Sequence, residues 1–379
     1  MNSELSTLEQ RLSLLVAMPT ATADGTTCQK AIESIDEELR SLGMHTTVKS
    51  GDHPHLVATT RKTKQPKIML VAHLDVVPED HGSHYELRIH GDNLTGRGVF
   101  DMKFAAACYL ELVHNLAESG TLPIYDFGII FTTDEEVGGQ HGVAELLENG
   151  WSTELAIVPD GGENWLTESA AKGVLTLELS APGRSAHGSR PWEGDNAITR
   201  LMDLLANLRQ KFPYISQDAL TLSVNQFSAG QAMNQIPDQA AAVVDIRAFT
   251  QTELHDADQY IRHTAKKYSI DVREISSGQP LALDPENELV QTTLDLLERF
   301  LGKPNEFSKS FGATDGRWFS KYGIPCFIIR PAGGGIHGPD EWVLRSDLPK
   351  FYSFLRQLTE EIALGTVDKP VHQAQTAAI

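Results

Sequence analysis

Apolar residues fall at helical spacing over residues 7–17 and 29–42, then switch to short unbroken runs at HLVATT and KIMLVA. Recurrence every three to four positions predicts helices with one buried stripe, and compact apolar runs predict strands buried on both faces. DMKFAAACYLELVHNLAE carries apolar residues so broadly that it predicts a helix buried on most sides. IYDFGIIFTT predicts the next strand, HGVAELLEN a helix and LAIVPD another strand. This alternation predicts an α/β fold with a mainly parallel sheet.

The pattern changes near residue 174. VLTLELSA alternates, placing Leu175, Leu177 and Leu179 on one face of a half-exposed strand. A helix over 195–212, the strands LTLSVNQFSA and AAAVVDIRAF, a helix over 253–268 and the strand IDVREIS follow. The order β-α-β-β-α-β is that of a ferredoxin-like α+β domain. After Gly278-Gln279-Pro280 the α/β style resumes with a helix near 286–301, a strand at CFIIRP and a helix over 346–364. The expected organisation is a discontinuous α/β domain, 1–173 and 279–379, with a smaller α+β domain inserted at 174–278. The closing stretch GTVDKPVHQAQTAAI is polar and aperiodic and is expected to be a loose tail.

A chain of 379 residues exceeds one ordinary core, which agrees with two domains. The net charge of −19 disfavours nucleic acid and anionic membrane as partners. No run approaches the apolar length of a membrane span. The N-terminus has no basic region ahead of its amphipathic helix, unlike a signal peptide. Cys28, Cys108 and Cys326 lie far apart without metal-site spacing. Such usage suits a reducing compartment and a cytoplasmic location.

Candidate chemistry clusters at the ends of the α/β strands. KIMLVA runs into His73 and Asp75, which point to the same side of a strand. One role for such a pair is a metal-bound imidazole steadied by a carboxylate; a structural hydrogen bond is the other. Asp101 follows the glycines of GRG before a helix, where a helix cap competes with ligation. Glu135 and Glu136 end a strand and point different ways, so one can ligate while the other moves protons; an exposed acidic loop is the alternative. Asp160 precedes two glycines and reads equally as a turn residue. His337 sits in GGGIHGPDEW, where a surface loop explains it as well. Mixed nitrogen and oxygen donors of this kind suit a zinc-type ion.

Taken together, HLDVVP, LTGRGVFDMK, TTDEEVGG, VPDGG, GRSAHGSRPWEGDNAI, MNQIPDQAAAVVDIR, FGATDGRWF and IHGPDEWV resemble, in order, the motifs of a two-zinc metallohydrolase family. That family includes acetylornithine deacetylase, succinyl-diaminopimelate desuccinylase, aminoacylase, glutamate carboxypeptidase and peptidase T. The resemblance implies two divalent ions, Zn2+ first with Co2+ or Mn2+ as alternatives. It implies that Asp101 bridges them, His73 and Asp160 completing one shell and Glu136 and His337 the other. Asp75 would orient His73, and Glu135 would be the general base for a water between the ions. His187 resembles a lid histidine that a partner subunit donates to the oxyanion. Asn234 and Arg247 match lid positions that hold substrate, the arginine gripping a carboxylate. The implied activity is hydrolysis of an amide or peptide bond in a small carboxylate-bearing substrate, an N-acyl amino acid or short peptide, by a homodimer joined through the inserted domain. A catalytically silent metal or metabolite binder on the same fold is the alternative reading. Phe104 departs from the family, which commonly has glycine there, and is expected to narrow the space beside the bridging ligand. Asp160, where the deacylases usually have Glu, tilts the resemblance towards peptidases.

Overall fold

The computed structural model describes residues 2–78, 84–213, 215–312 and 314–364. The expected C-terminal tail lies outside the described residues. The chain forms two compact units: Met1–Leu166 with Pro285–Glu306 and Ile324–Ile379, and Thr167–Asp284 with Phe307–Gly323. The segment Phe307–Gly323 joins the second unit because its strand Phe307–Ser310 runs parallel to Thr167–Ala171.

The first unit is built on a sheet with the order His45–Lys49, His55–Thr59, Phe127–Thr132, Ile68–His73, Leu155–Ile157 and Cys326–Phe327. The first three of these pair antiparallel. The remaining neighbours are parallel, which makes the sheet mainly parallel. Ile68–His73 and Phe127–Thr132 are buried at every position, as their unbroken apolar runs require. Helix Gly25–Ser41 buries Cys28, Ala31, Ile32, Ile35 and Leu39, one stripe at helical spacing, and Asp24 caps it by accepting from the Thr27 amide. Helix Phe104–Glu118 is buried from Phe104 through Val113. Its one acidic residue in that stretch, Glu111, is neutralised by Arg11 at 2.6 Å, and Arg11 also pairs with Glu38. Three helices are thereby tied by one cation. Phe104 is fully buried, with its ring edge-on to Phe351 at 5.2 Å, so the core beside the last helix accommodates it.

The second unit contains the antiparallel sheet Thr221–Ala229, Gln239–Ala248, Gly173–Pro182, Asp271–Gly278. The helices Ala197–Lys211 and Gln251–Lys267 pack on it. Leu175, Leu177 and Leu179 meet Leu201, Leu204, Leu208, Leu254 and Ile261 in one core. The order is that of a ferredoxin-like fold. Thr221–Ala229 is an edge strand whose second half is exposed, including Val224 and Phe227.

Among the described residues no helix is long and apolar enough to cross a membrane. All three cysteines are buried and none forms a disulfide.

Candidate metal centre

The parallel strands of the first unit deliver their chemistry at their carboxyl ends, where open α/β sheets place their sites. His73 is the last residue of Ile68–His73, and Glu135 and Glu136 follow Phe127–Thr132 in a short turn. Asp160 follows Leu155–Ile157. Asp101 comes from the loop ahead of helix Phe104–Glu118. Asp101 caps no helix; its backbone is non-helical and no side-chain cap is made there. His337 lies in a turn between the short strands Gly333–Gly334 and Trp342–Leu344. Its φ of 61° is uncommon for a residue with a Cβ. Gly335 opens that turn at φ 74°, and a Cβ there would meet the Asp340 carbonyl oxygen at 2.6 Å.

These residues form two groups of candidate ligand atoms, each within 4.8 Å: His73, Asp101 and Asp160, and Asp101, Glu136 and His337. Asp101 belongs to both. Its Oδ1 faces His73 Nε2 at 3.1 Å and its Oδ2 faces His337 Nε2 at 3.5 Å. His337 Nε2 also lies 3.0 Å from Glu136 Oε2. Glu135 is in neither group.

The donor chemistry fits divalent cations. His73 Nδ1 lies 3.0 Å from the Asp75 carbonyl oxygen, which can only accept, so Nδ1 carries a proton. The lone pair of Nε2 then faces an Asp101 oxygen, and two acceptors at that distance need a positive charge between them. A proton is one solution and a metal ion the other. The protein groups alone feel this demand. Burial opposes a charged His73, but hydrogen bonds that it donates to Asp101 and Asp75 raise its pKa well above the usual value. Burial likewise opposes ionisation of Asp101, yet its contacts with His337 and His73 hold its pKa below the carboxylate range. Burial, and the neighbouring charge of Asp101, push Asp160 up to about 7. Burial raises Glu136 as well. Carboxylates held this way can be ionised together only beside cations.

Asp75 is fully buried and does more than face His73. Its Oδ1 lies 3.5 Å from His73 Nδ1. Its two oxygens accept from the amides of Glu135 (3.4 Å) and Glu136 (3.2 Å), and Thr22 Oγ1 donates to Oδ2 at 3.0 Å. One carboxylate thus fixes a histidine and both glutamates.

The second unit places the other candidates. His187 and Asn234 are neighbours: Ala186–His187 pairs with Gln235–Ile236, and the Gly188 amide donates to the Asn234 carbonyl at 2.7 Å. The Ser189 amide donates to His187 Nδ1 at 3.2 Å. In the neutral ring this leaves the proton on Nε2 of an exposed imidazole, ready to donate. Arg247 lies in strand Gln239–Ala248, and its Nε and Nη2 donate to Asp245 at 2.8 and 3.2 Å.

Sequence reasoning assigned no role to three charged residues beside the metal centre. Glu341 is buried and accepts from the amides of Gly98, Phe100 and Asp101. Arg97 is buried against it at 3.3 Å. Arg330 stacks on Phe100 at 4.2 Å, with Nη1 3.8 Å from Asp160 and Nη2 3.0 Å from Glu163. Each left a signal in the sequence: Arg97 lies in LTGRGVFDMK, Glu341 in IHGPDEWV, and Arg330 is a charge at the end of the apolar run CFII before a glycine-rich loop.

Comparison with known proteins gives a concordant result. Residues 69–361 match peptidase family M20/M25/M40. A succinyl-diaminopimelate desuccinylase from Rickettsia felis is 27% identical over 363 residues, covering 88% of this chain and 94% of the relative. A putative succinyl-diaminopimelate desuccinylase from Mycobacterium tuberculosis is 27% identical over 314 residues, covering 80% and 84%. Aminopeptidase PepT from Bacillus cereus superposes with a TM-score of 0.78 at 18% identity, covering 94% of this chain and 98% of that one. A dinuclear metal-binding peptidase of the M20 family from Bacillus subtilis has a TM-score of 0.70 at 15% identity, covering 96% and 99%.

Proposed function

The chain belongs to peptidase family M20/M25/M40 and is a metal-dependent amide or peptide hydrolase, and from that premise we propose how it works and on what. The substrate is a small molecule carrying a free carboxylate, an N-acyl amino acid or a short peptide. The observation that carries the reading is Asp101, whose two oxygens face two histidines belonging to two ligand groups.

Two ions would be held by His73, Asp101 and Asp160 and by Asp101, Glu136 and His337; Zn2+ suits two imidazoles among carboxylates. Bound there, they would supply Lewis acidity to the carbonyl and make a water easier to deprotonate. The remaining chemistry belongs to the chain. Glu135, outside both ligand groups, takes the water's proton on its carboxylate and delivers it to the leaving nitrogen. Asp75 holds Glu135 and Glu136 by their amides, so the base and a ligand keep a fixed relation. His187 offers its Nε2 proton to the oxygen that becomes negative. Arg247, already paired with Asp245, takes the substrate carboxylate, and Asn234 holds the substrate beside it. Association of two chains through the inserted domain is supported by the edge strand Thr221–Ala229 with exposed Val224 and Phe227. Three buried cysteines, none in a disulfide, support a cytoplasmic location.

The test is a panel of N-succinyl and N-acetyl amino acids, dipeptides and tripeptides on metal-analysed protein, beside Glu135→Gln. Wild type should release free amine from one class, and the variant should keep two ions while losing about 10²- to 10⁴-fold in kcat. No turnover with two ions bound would favour the silent binder. Loss of metal in the variant would exchange the roles of Glu135 and Glu136.

A further inference from the structure

Glu341 and Arg97 lie in different parts of the sequence, and each touches a loop that carries a candidate ligand. Glu341 is 2% exposed. Its Oε1 accepts from the amides of Phe100 at 2.8 Å and Asp101 at 3.0 Å. Its Oε2 accepts from the Gly98 amide at 2.9 Å and from Arg97 Nη1 at 3.3 Å. The other arm of Arg97, Nη2, donates to the His337 carbonyl at 3.3 Å. Gly98 makes this approach feasible: its φ is 74°, and a Cβ there would lie 2.6 Å from Val76 Cγ1. The carboxylate therefore gathers the loop of Asp101, and the guanidinium ties that loop to the loop of His337.

We propose that the Glu341–Arg97 pair is a positioning clip that sets the spacing between Asp101 and His337 and so tunes one of the two metal positions. This rests on the two-ion reading above. Asp101 serves both positions, whereas His337 and Glu136 serve one. Loosening the clip should therefore act unequally, weakening the Asp101–Glu136–His337 position more than the His73–Asp101–Asp160 position. A brace of purely structural kind would lower stability and leave the two positions as they were. Outer partners of ligands typically change metal affinity by about 10- to 100-fold.

The experiment titrates metal-stripped full-length protein with Co2+, read by calorimetry and by visible absorption. Wild type should take up two ions. Glu341→Gln turns one acceptor oxygen into a donor that faces backbone amides, and should bind one ion as before and the second about 10- to 100-fold more weakly. Arg97→Met leaves the three amide contacts of Glu341 intact and removes both its ion pair with Glu341 and the tie to His337. It should show the same selective loss, and it decides the matter if Glu341→Gln does not fold. Two ions with unchanged affinities in Arg97→Met, whatever its melting temperature, would overturn the clip. Failure of wild type to bind two ions would instead remove the two-ion reading, and the clip with it.

Discussion

Asp75→Asn is the most demanding substitution for the site as described, because it changes no volume. The carboxylate is fully buried and serves four neighbours: His73 Nδ1, the amides of Glu135 and Glu136, and the Thr22 hydroxyl. An asparagine keeps one oxygen. Whichever way the amide turns, its NH2 meets a backbone N–H, that of Glu135 on one side or Glu136 on the other. Losing a hydrogen bond to a charged acceptor costs about 1.5–3 kcal/mol, and leaving a buried donor unsatisfied costs about 1–3 kcal/mol more. The sum is about 2.5–6 kcal/mol. At about 2 °C per kcal/mol for a domain of this size, Tm of the metal-stripped protein should fall by at least about 5 °C. Metal affinity should fall by about 10- to 100-fold, because His73 and Glu136 both lose their orientation. Differential scanning calorimetry of stripped protein and a metal titration of the folded variant check the two effects separately. A variant within about 2 °C of wild type, with unchanged metal affinity, would show that Asp75 is a passive neighbour and that the backbone carbonyl alone holds His73.

His187→Ala should lower kcat by about 10²- to 10³-fold with metal content unchanged, and mixing it with Glu135→Gln chains should restore activity if the imidazole acts across a dimer. An unchanged kcat would remove His187 from the chemistry, and no recovery despite proven subunit exchange would place its action within one chain. Burial pushes the Cys28 thiol up to about 12 and raises that of Cys108, so neither forms thiolate at pH 8 in the folded chain. Iodoacetamide should leave the native protein unlabelled and modify all three cysteines after unfolding in urea; fast labelling of Cys28 in the native state would contradict its burial.

What the sequence alone determined is local. The strands and helices read from the sequence were legible because their signal, a period of two or of three to four residues or a short unbroken apolar run, is written in neighbouring positions, whereas His45–Lys49, Asn93–Thr95 and Trp342–Leu344 carry no such signal. VLTLELSA needs only its own alternation to place Leu175, Leu177 and Leu179 on one buried face. His73 and Asp75 were legible for the same reason: two residues apart at a strand end, they share a side whatever lies across from them. The grouping of His73, Asp101, Glu136, Asp160 and His337 needed more, since each residue alone had an equal explanation as a turn, cap or surface loop. The ordered motifs supplied it through resemblance, and the fold brings the five into two adjoining groups.

Tertiary structure alone decided the rest. For Asp101 the local sequence leaves helix cap and ligand in competition and only the resemblance implies a bridge; the loop geometry turns both its oxygens towards histidines. Glu341 sits 240 positions from Asp101, and nothing in a glutamate between a Gly-Pro turn and a tryptophan says which amides it will receive. Arg97 and Glu341 become partners only because two antiparallel strands, Asn93–Thr95 and Trp342–Leu344, lie side by side. Likewise Arg330 finds Asp160 because Cys326–Phe327 pairs with Leu155–Ile157. A buried charge is stable only where a partner meets it. Which partner does so depends on sheet order, and periodicity along the chain does not encode it.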